Sequence, residues 1–172
     1  MHKLICATAT IVLSVVGLIP KAQSNSQKEA LREIKGVAVT VRVTAKAERS
    51  ALLESQIRAD VEQQLRAAHV PLFGHPRDIL LAGGRRVNSF PPFLSVLVDI
   101  TPQCAEPRAY KVEVVVSQDA ADPHDPHAKT SVKTWSVTKA GTYNRRRLKE
   151  VHRYIEIGVD QFISDYVGVN TK

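Results

Sequence analysis

Alternating apolar and polar residues mark the first structured element of the chain. Residues 36 to 46 read GVAVTVRVTAK, with valines on one side and mostly polar or small residues on the other. The apolar face consists of Val37, Val39, Val41 and Val43. A period of two with a single apolar face predicts a half-buried β-strand.

Beyond Ser50 the period becomes helical. Apolar residues recur three or four positions apart, at Leu53, Ile57, Val61, Leu65 and Ala68. We expect an amphipathic helix with Ser50 as N-cap, supported by an i,i+4 pair of Glu54 and Arg58. The helix should end near His69, because Pro71 cannot continue it. We interpret His69 as a terminal residue in the conformation usual for glycine; the alternative is a metal ligand.

Three further segments alternate like the first. They are residues 93–101 (FLSVLVDIT), 110–118 (YKVEVVVSQ) and 129–138 (KTSVKTWSVT). In the last of them Trp135 and Val137 share a face while Val132 falls on the other. This irregularity indicates a β-bulge or an edge strand.

Residues 144 to 170 return to helical spacing. Their apolar positions are Leu148, Val151, Ile155, Val159, Phe162, Ile163 and Tyr166. Since every strand has one apolar face and every helix one apolar stripe, we predict an α+β two-layer sandwich. It comprises a mixed four-stranded sheet, element order β-α-β-β-β-α, with two helices packed on one face. A helical crossover should make the first two strands parallel.

The N-terminus has the pattern of a secretory signal. His2 and Lys3 precede an uncharged run from Leu4 to Ile19, about 16 residues and short of the roughly 20 that span a bilayer. Cleavage is expected after Ser24. The predicted organisation is a signal peptide (1–24), a polar leader (25–35) and a single α+β domain (36–172). The alternative is an uncleaved anchor.

Charge and amino-acid composition limit the classes of partner and the disulfide bonds that fit this sequence. The chain has a formal net charge of +7, and only Cys104 remains once a segment containing Cys6 is removed, so no internal disulfide can form. A basic surface attracts anions such as lipid headgroups or polysaccharide. Export together with few aromatic side chains argues against nucleic acid.

The repeat DPHDPH, residues 122–127, is one candidate metal site. His124 and His127 could contribute ligands to zinc or copper, but closed sites usually need four. Each aspartate precedes a proline, which favours extended geometry and separates the side chains. A solvated hairpin tip is therefore the preferred interpretation, and no cofactor is expected.

Clustered arginines are the candidate anion-binding residues. Arg145, Arg146 and Arg147 stand at the start of the last helix, where the helix dipole disfavours cations and a bound anion would offset that cost. Arg85 and Arg86 follow two glycines in the long connection before residue 93. The alternative is that all five side chains are simply solvated.

Three stretches resemble small exported bacterial proteins of no assigned activity. They are ADVEQQLRAAHVP, KTWSV and VDQFISDYVGVNTK. The matching residues are Ile57, Asp60, Val61, Glu62, Trp135, Asp160, Phe162, Asp165 and Tyr166. The resemblance covers roughly residues 36 to 169, implies the fold, and supplies no chemistry.

These observations favour an exported protein, periplasmic or secreted, that is a non-enzymatic binding or accessory module of the cell envelope. Its partner would be an envelope protein or an anionic envelope component, with membrane contact only through an uncleaved N-terminus. The chain lacks the local motifs G-x-S-x-G, H-E-x-x-H and C-x-x-C. A small hydrolase with dispersed catalytic residues is the alternative.

Overall fold

The computed structural model of this 172-residue chain describes residues 21–32, 34–44, 54–74, 91–100, 108–121, 129–143 and 148–171. In chain order the elements are α1 (Lys21–Glu29), β1 (Ala38–Val43), α2 (Glu54–Ala67), β2 (Phe93–Ile100), β3 (Arg108–Ala121), β4 (Lys129–Tyr143) and α3 (Leu148–Asn170).

The predicted α+β architecture is confirmed. One mixed sheet has the order β1-β2-β3-β4, with β1 parallel to β2 and the other neighbours antiparallel. Helix α2 lies against β1, α3 lies against β3 and β4, and the two helices contact each other. The parallel pairing of the first two strands follows from the helical crossover between them.

One face of the sheet forms the core. A single row of valines crosses all four strands through Val41, Val96, Val114 and Val137, which are paired in register. The helices cover this row with Ile57, Val61, Leu65, Val151, Ile155, Val159 and Phe162, all buried. Gly158 permits the close approach of α3, because an added Cβ would lie 2.7 Å from Val114 Cγ2.

Strand β4 explains the irregular pattern around Trp135. The register shifts next to the pair of Val116 and Trp135, so Thr134 is the extra residue of a β-bulge. β4 is also an edge strand of the sheet. Beyond the bulge Val132 is 40% exposed, whereas Trp135 is buried and packs edge-on against Phe162 with ring centroids 5.5 Å apart. Both predicted explanations, bulge and edge, are confirmed.

The end of α2 confirms the predicted role of His69. Its φ is 57°, in the left-handed region. The N–H of His69 donates to the carbonyl of Arg66 at 3.0 Å, and the N–H of Val70 donates to that of Leu65 at 2.9 Å. These two bonds and the buried pair of Val70 and Leu65 define a Schellman motif. The position of the His69 imidazole therefore follows from the left-handed backbone conformation at the end of the helix.

The opposite face of the sheet is polar. Thr40 Oγ1 donates to Ser95 Oγ at 2.8 Å, and Thr44 Oγ1 donates to Asp99 Oδ1 at 2.7 Å. Glu113 pairs with the ammonium groups of both Lys111 and Lys133. Helices on one face and charged or hydroxyl side chains on the other fit the predicted one-sided burial.

A third helix, α1, was not predicted. The polar leader expected over residues 25–35 comprises the end of α1 and a connection that packs on the domain, with Leu31 and Ile34 buried. Its carbonyls accept side-chain hydrogen bonds: Gln118 to Ala30, Asn170 to Leu31, and Tyr166 to Ile34, each at 2.9 Å. The segment is therefore part of the core assembly.

Asp165 joins this N-terminal segment to the core. Its carboxylate is buried, accepts a hydrogen bond from Trp135 Nε1 at 3.1 Å, and pairs with Lys28 Nζ at 2.9 Å. A buried carboxylate is tolerated only when such donors compensate for its lost hydration. One side chain thus connects α1, β4 and α3.

We predict that Asp165→Asn lowers the free energy of unfolding by about 2 kcal/mol, because it replaces a charged acceptor shared by two donors. The matched control is Asp160→Asn on the same helix, an exposed acceptor for Gln64, which should change stability by less than about 0.5 kcal/mol. Urea denaturation of both variants measures the difference. Equal losses would contradict the central role of Asp165.

Candidate functional site

The candidate residues proposed from sequence lie outside the described part of the chain. They are Arg85, Arg86, Arg145, Arg146 and Arg147 for anions, and His124 and His127 for a metal. These assignments stay predictions. Among the described residues, no three His, Cys, Asp or Glu side chains come together in a group that could hold a metal ion.

Two clefts lie on the described surface. The first, which we call the edge cleft, has a volume of about 280 Å³. Its lining residues are Val39, Arg58, Glu62, Arg66, Leu72, Phe73 and Gly74. The second, the outer-face cleft, has a volume of about 210 Å³ on the polar face of the sheet. It is lined by Arg42, Thr44, Leu97, Val98, Asp99, Lys111 and Glu113.

The edge cleft lies beside the outer edge of β1, which is closed at its start. The N–H of Val37 donates to the carbonyl of Pro71 at 3.0 Å, and the carbonyl of Val37 accepts from the N–H of Phe73 at 2.9 Å. Gly36 makes this approach possible, since an added Cβ would lie 2.6 Å from the carbonyl oxygen of Pro71. The chain after α2 thus pairs with the start of the strand.

The same edge is closed at its end by the first residue of α2. The N–H of Val43 donates to Glu54 Oε1 at 2.8 Å. The sequence predicted that Glu54 pairs with Arg58, and that prediction is wrong: Glu54 bonds the strand, while Arg58 bonds Glu62. Glu54 therefore accepts a hydrogen bond from the edge-strand N–H of Val43, and Arg58 pairs with Glu62, the other carboxylate within its reach.

Between these two closures lie Val39, which is only 4% exposed, and Val41, which is partly buried. Because backbone groups alternate along a strand, those of Ala38, Thr40 and Arg42 face β2. The N–H and carbonyl groups of Val39 and Val41 point the other way, and no described residue forms a hydrogen bond with them. We call these four backbone groups the β1 window.

Strand β4, at the other edge of the sheet, differs in character. It carries three lysines, Lys129, Lys133 and Lys139, and the bulge at Thr134. Lysines and bulges are the features by which edge strands avoid pairing with other chains. In β1, by contrast, neutral Thr40 separates the two window residues.

Electrostatics in the edge cleft are set by one carboxylate between two arginines. Arg58 Nε lies 2.9 Å from Glu62 Oε1, and Arg66 Nη2 lies 2.8 Å from Glu62 Oε2. Burial acts to raise the pKa of Glu62, but the hydrogen bonds from both arginines outweigh it and hold this pKa below its usual 4.5. Two guanidinium groups facing one carboxylate leave the cleft with net positive charge.

The lining of the edge cleft has few of the side chains that usually act as nucleophile or general base. The edge cleft contains no Ser, Thr, Cys, His or Lys side chain among its lining residues. Elsewhere Tyr110 stands near Tyr154 and Glu150, but burial, followed by its hydrogen bond with Tyr154, raises the pKa of the Tyr110 hydroxyl above its usual value. That hydroxyl stays protonated and cannot act as a base near neutral pH.

Sequence reasoning missed the edge cleft. Arg58, Glu62 and Arg66 follow one another at a spacing of four residues, and this spacing was the signal that could have indicated a charge cluster on α2. The β1 window carried no signal, because an edge position depends on the strand order of the whole sheet.

Comparison with known proteins gives no family. No protein-family model matches the chain, and no curated protein matches it. Among solved structures, a minor lipoprotein from Acinetobacter baumannii is similar at 13% identity, over 77% of this chain and 87% of that one, with a TM-score of 0.25. None of the helices in the described residues is both long and apolar enough to cross a membrane.

We predict that Glu62→Gln lowers the free energy of unfolding by about 1 kcal/mol at pH 7, because two partly exposed ion pairs are lost. A carboxyl whose folded pKa is depressed stabilises the fold above its unfolded pKa, near 4.5, and loses that effect as pH falls through the folded pKa. The difference between wild type and variant should therefore shrink as the pH falls below about 4.5.

Urea denaturation at pH 7, 5 and 3 measures this difference. The control is Glu156→Gln, which removes an exposed carboxylate from α3 and should leave stability within about 0.5 kcal/mol at every pH. A loss for Glu62→Gln that persists unchanged at pH 3 would contradict the assigned ion pairs.

Proposed function

We propose that this protein is exported and serves as a non-enzymatic binding module of the bacterial cell envelope. The observation that carries the proposal is a surface cleft beside the edge strand β1 that is lined by arginines and apolar groups. Guanidinium groups next to apolar surface suit the binding of an anionic or amphipathic partner. Deep pockets in which an acid, a base and a nucleophile converge are characteristic of enzymes, and the edge cleft has a different make-up.

Export is supported by the N-terminal pattern of a basic start and a short apolar run. The run from Leu4 to Ile19 lies outside the described residues, and helix α1 spans the predicted cleavage position after Ser24. The mature chain would begin a few residues before Lys28, which is bound to Asp165. The domain would thus be held close to the membrane during processing.

Anionic envelope material is a further part of the proposal. Arg85 and Arg86 and the run Arg145 to Arg147 would contact phosphate or carboxylate groups, for which guanidinium forks are suited. Removal of residues 1–24 would take away Lys3 and Lys21 and no acidic residue, so the formal charge of +7 would fall by two to about +5, which still attracts anions to the protein.

Cross-linking in intact cells, followed by fractionation, tests the proposed function. We expect wild-type protein in the envelope or periplasmic fraction with one discrete cross-linked partner. Replacing Arg145, Arg146 and Arg147 with glutamine should weaken or remove that adduct. The matched control replaces Lys35, Lys139 and Arg153, which are exposed in the described structure and line neither cleft, and removes the same charge elsewhere.

A specific anion-binding surface is supported if the control keeps the adduct and the variant of Arg145, Arg146 and Arg147 loses it. Equal loss of the adduct in both variants would mean that the arginines act only through the general positive charge of the protein. That result would contradict their proposed role. Wild-type protein in the cytosolic fraction without any adduct would contradict the function itself.

A further inference from the structure

The two arginines of the edge cleft hold one carboxylate and keep donors for another. Each oxygen of the Glu62 carboxylate accepts one guanidinium N–H, from Arg58 Nε at 2.9 Å and from Arg66 Nη2 at 2.8 Å. A guanidinium has several further N–H donors, and no described residue accepts a hydrogen bond from those of Arg58 or Arg66. The Arg66 side chain is 63% exposed, so its remaining donors are accessible to a ligand.

Apolar surface lies in the same cleft as these guanidinium groups. Leu72 and Phe73 line it, and Phe73 is 41% exposed. The N–H of Phe73 donates to the carbonyl of Val37, and this hydrogen bond fixes the backbone that carries the ring. A ligand that covers the ring would remove apolar area from water, which favours binding.

The size and surroundings of the cleft favour a small molecule over a peptide strand. Its volume of about 280 Å³ is just below the range of roughly 300–1,000 Å³ that is usual for ligand pockets. A peptide backbone has no accessible strand to pair with, because Val39 in the β1 window is buried and Pro71 and Glu54 close the two ends of the edge.

The charges in the cleft favour a single carboxylate. The pKa of Glu62 lies below its usual 4.5, so this side chain is an anion at neutral pH. Two guanidinium groups and one carboxylate leave one positive charge, which one further carboxylate neutralises. Arg58 and Arg66 are already spaced to share a planar carboxylate, and that spacing suits a second group of the same shape.

From this geometry we infer that the edge cleft binds a small organic acid with one carboxylate on a short apolar body. The carboxylate accepts hydrogen bonds from Arg66 and Arg58, and the apolar body packs on Phe73. Glu62 stays between the two arginines and holds them in position. The inference rests on the proposed binding function and gives that function a ligand class.

The test uses the purified protein with ¹⁵N labelling and phenylacetate as probe at pH 7. Two matched compounds separate its groups: phenylacetamide lacks the charge, and acetate lacks the ring. We expect phenylacetate to shift the backbone amide resonances of Phe73 and Gly74 and the Nε–H resonance of Arg66, with a dissociation constant on the order of 1 mM. Phenylacetamide and acetate should each bind about tenfold more weakly.

Protein variants separate the contribution of charge from that of apolar contact. Arg66→Gln should abolish the preference for phenylacetate over phenylacetamide, whereas Arg153→Gln, the same charge change at an exposed position on α3, should preserve it. Phe73→Ala should lower the affinity for phenylacetate to that for acetate. Its control is Val132→Ala, which shortens a 40% exposed side chain on β4 and should leave binding unchanged. If Phe73→Ala fails to fold, the Arg66 and Arg153 variants decide.

Several results would overturn the inference. Absence of shifts at Phe73, Gly74 and Arg66 would show that the cleft does not take an organic acid. Equal affinity for phenylacetate and phenylacetamide would exclude the carboxylate as the recognised group. Equal weakening by Arg66→Gln and Arg153→Gln would mean that only the general charge of the protein attracts the probe.

The cellular cross-linking experiment separates failure of this inference from failure of the proposed function. A discrete envelope adduct in cells, together with no binding of phenylacetate by the purified protein, would refute the small-acid ligand and leave the binding function standing. Binding of phenylacetate that depends on Arg66 and Phe73, in a protein that forms no adduct in cells, would support the ligand and contradict the envelope partner.

Discussion

One-sided burial of the sheet is the constraint on which the rest of the structure depends. Each strand carries valine or another apolar residue at every second position, and that face must be covered, so both long helices lie on it. The row from Val41 to Val137 runs beneath α2 and α3 across all four strands. The face that the helices do not cover is polar. The two edge strands, β1 and β4, need separate protection against pairing with other chains.

The two edges of the sheet are protected in different ways. The long strand β4 carries lysines and a bulge, which discourage pairing. The short strand β1 is closed by Pro71 and Glu54 at its ends, and Val39 between these closures is buried. Segments of the same chain therefore protect β1, whereas side-chain charge and an irregular backbone protect β4.

The sequence predicted what local periodicity determines and missed what the chain decides by distant contacts. The four strands, helices α2 and α3, the left-handed His69 and the irregular β4 all follow from residues close in sequence. The packing of residues 28–34 depends on Asp165 and Tyr166, far away in the chain, and polar composition alone suggested a loose leader. Glu54 was assigned to Arg58 because a helix brings them together, whereas tertiary folding brought it to Val43.

Amide hydrogen exchange along β1 tests the closure of this sheet edge most directly. The amides of Val37 and Val43, which bond Pro71 and Glu54, should exchange slowly, as should those of Thr40 and Arg42, which pair with β2. All four amides lie in or next to the same strand, so differences in global stability cancel. Fast exchange at Val37 and Val43 alone would show that these two closures do not form and would contradict this account of the edge.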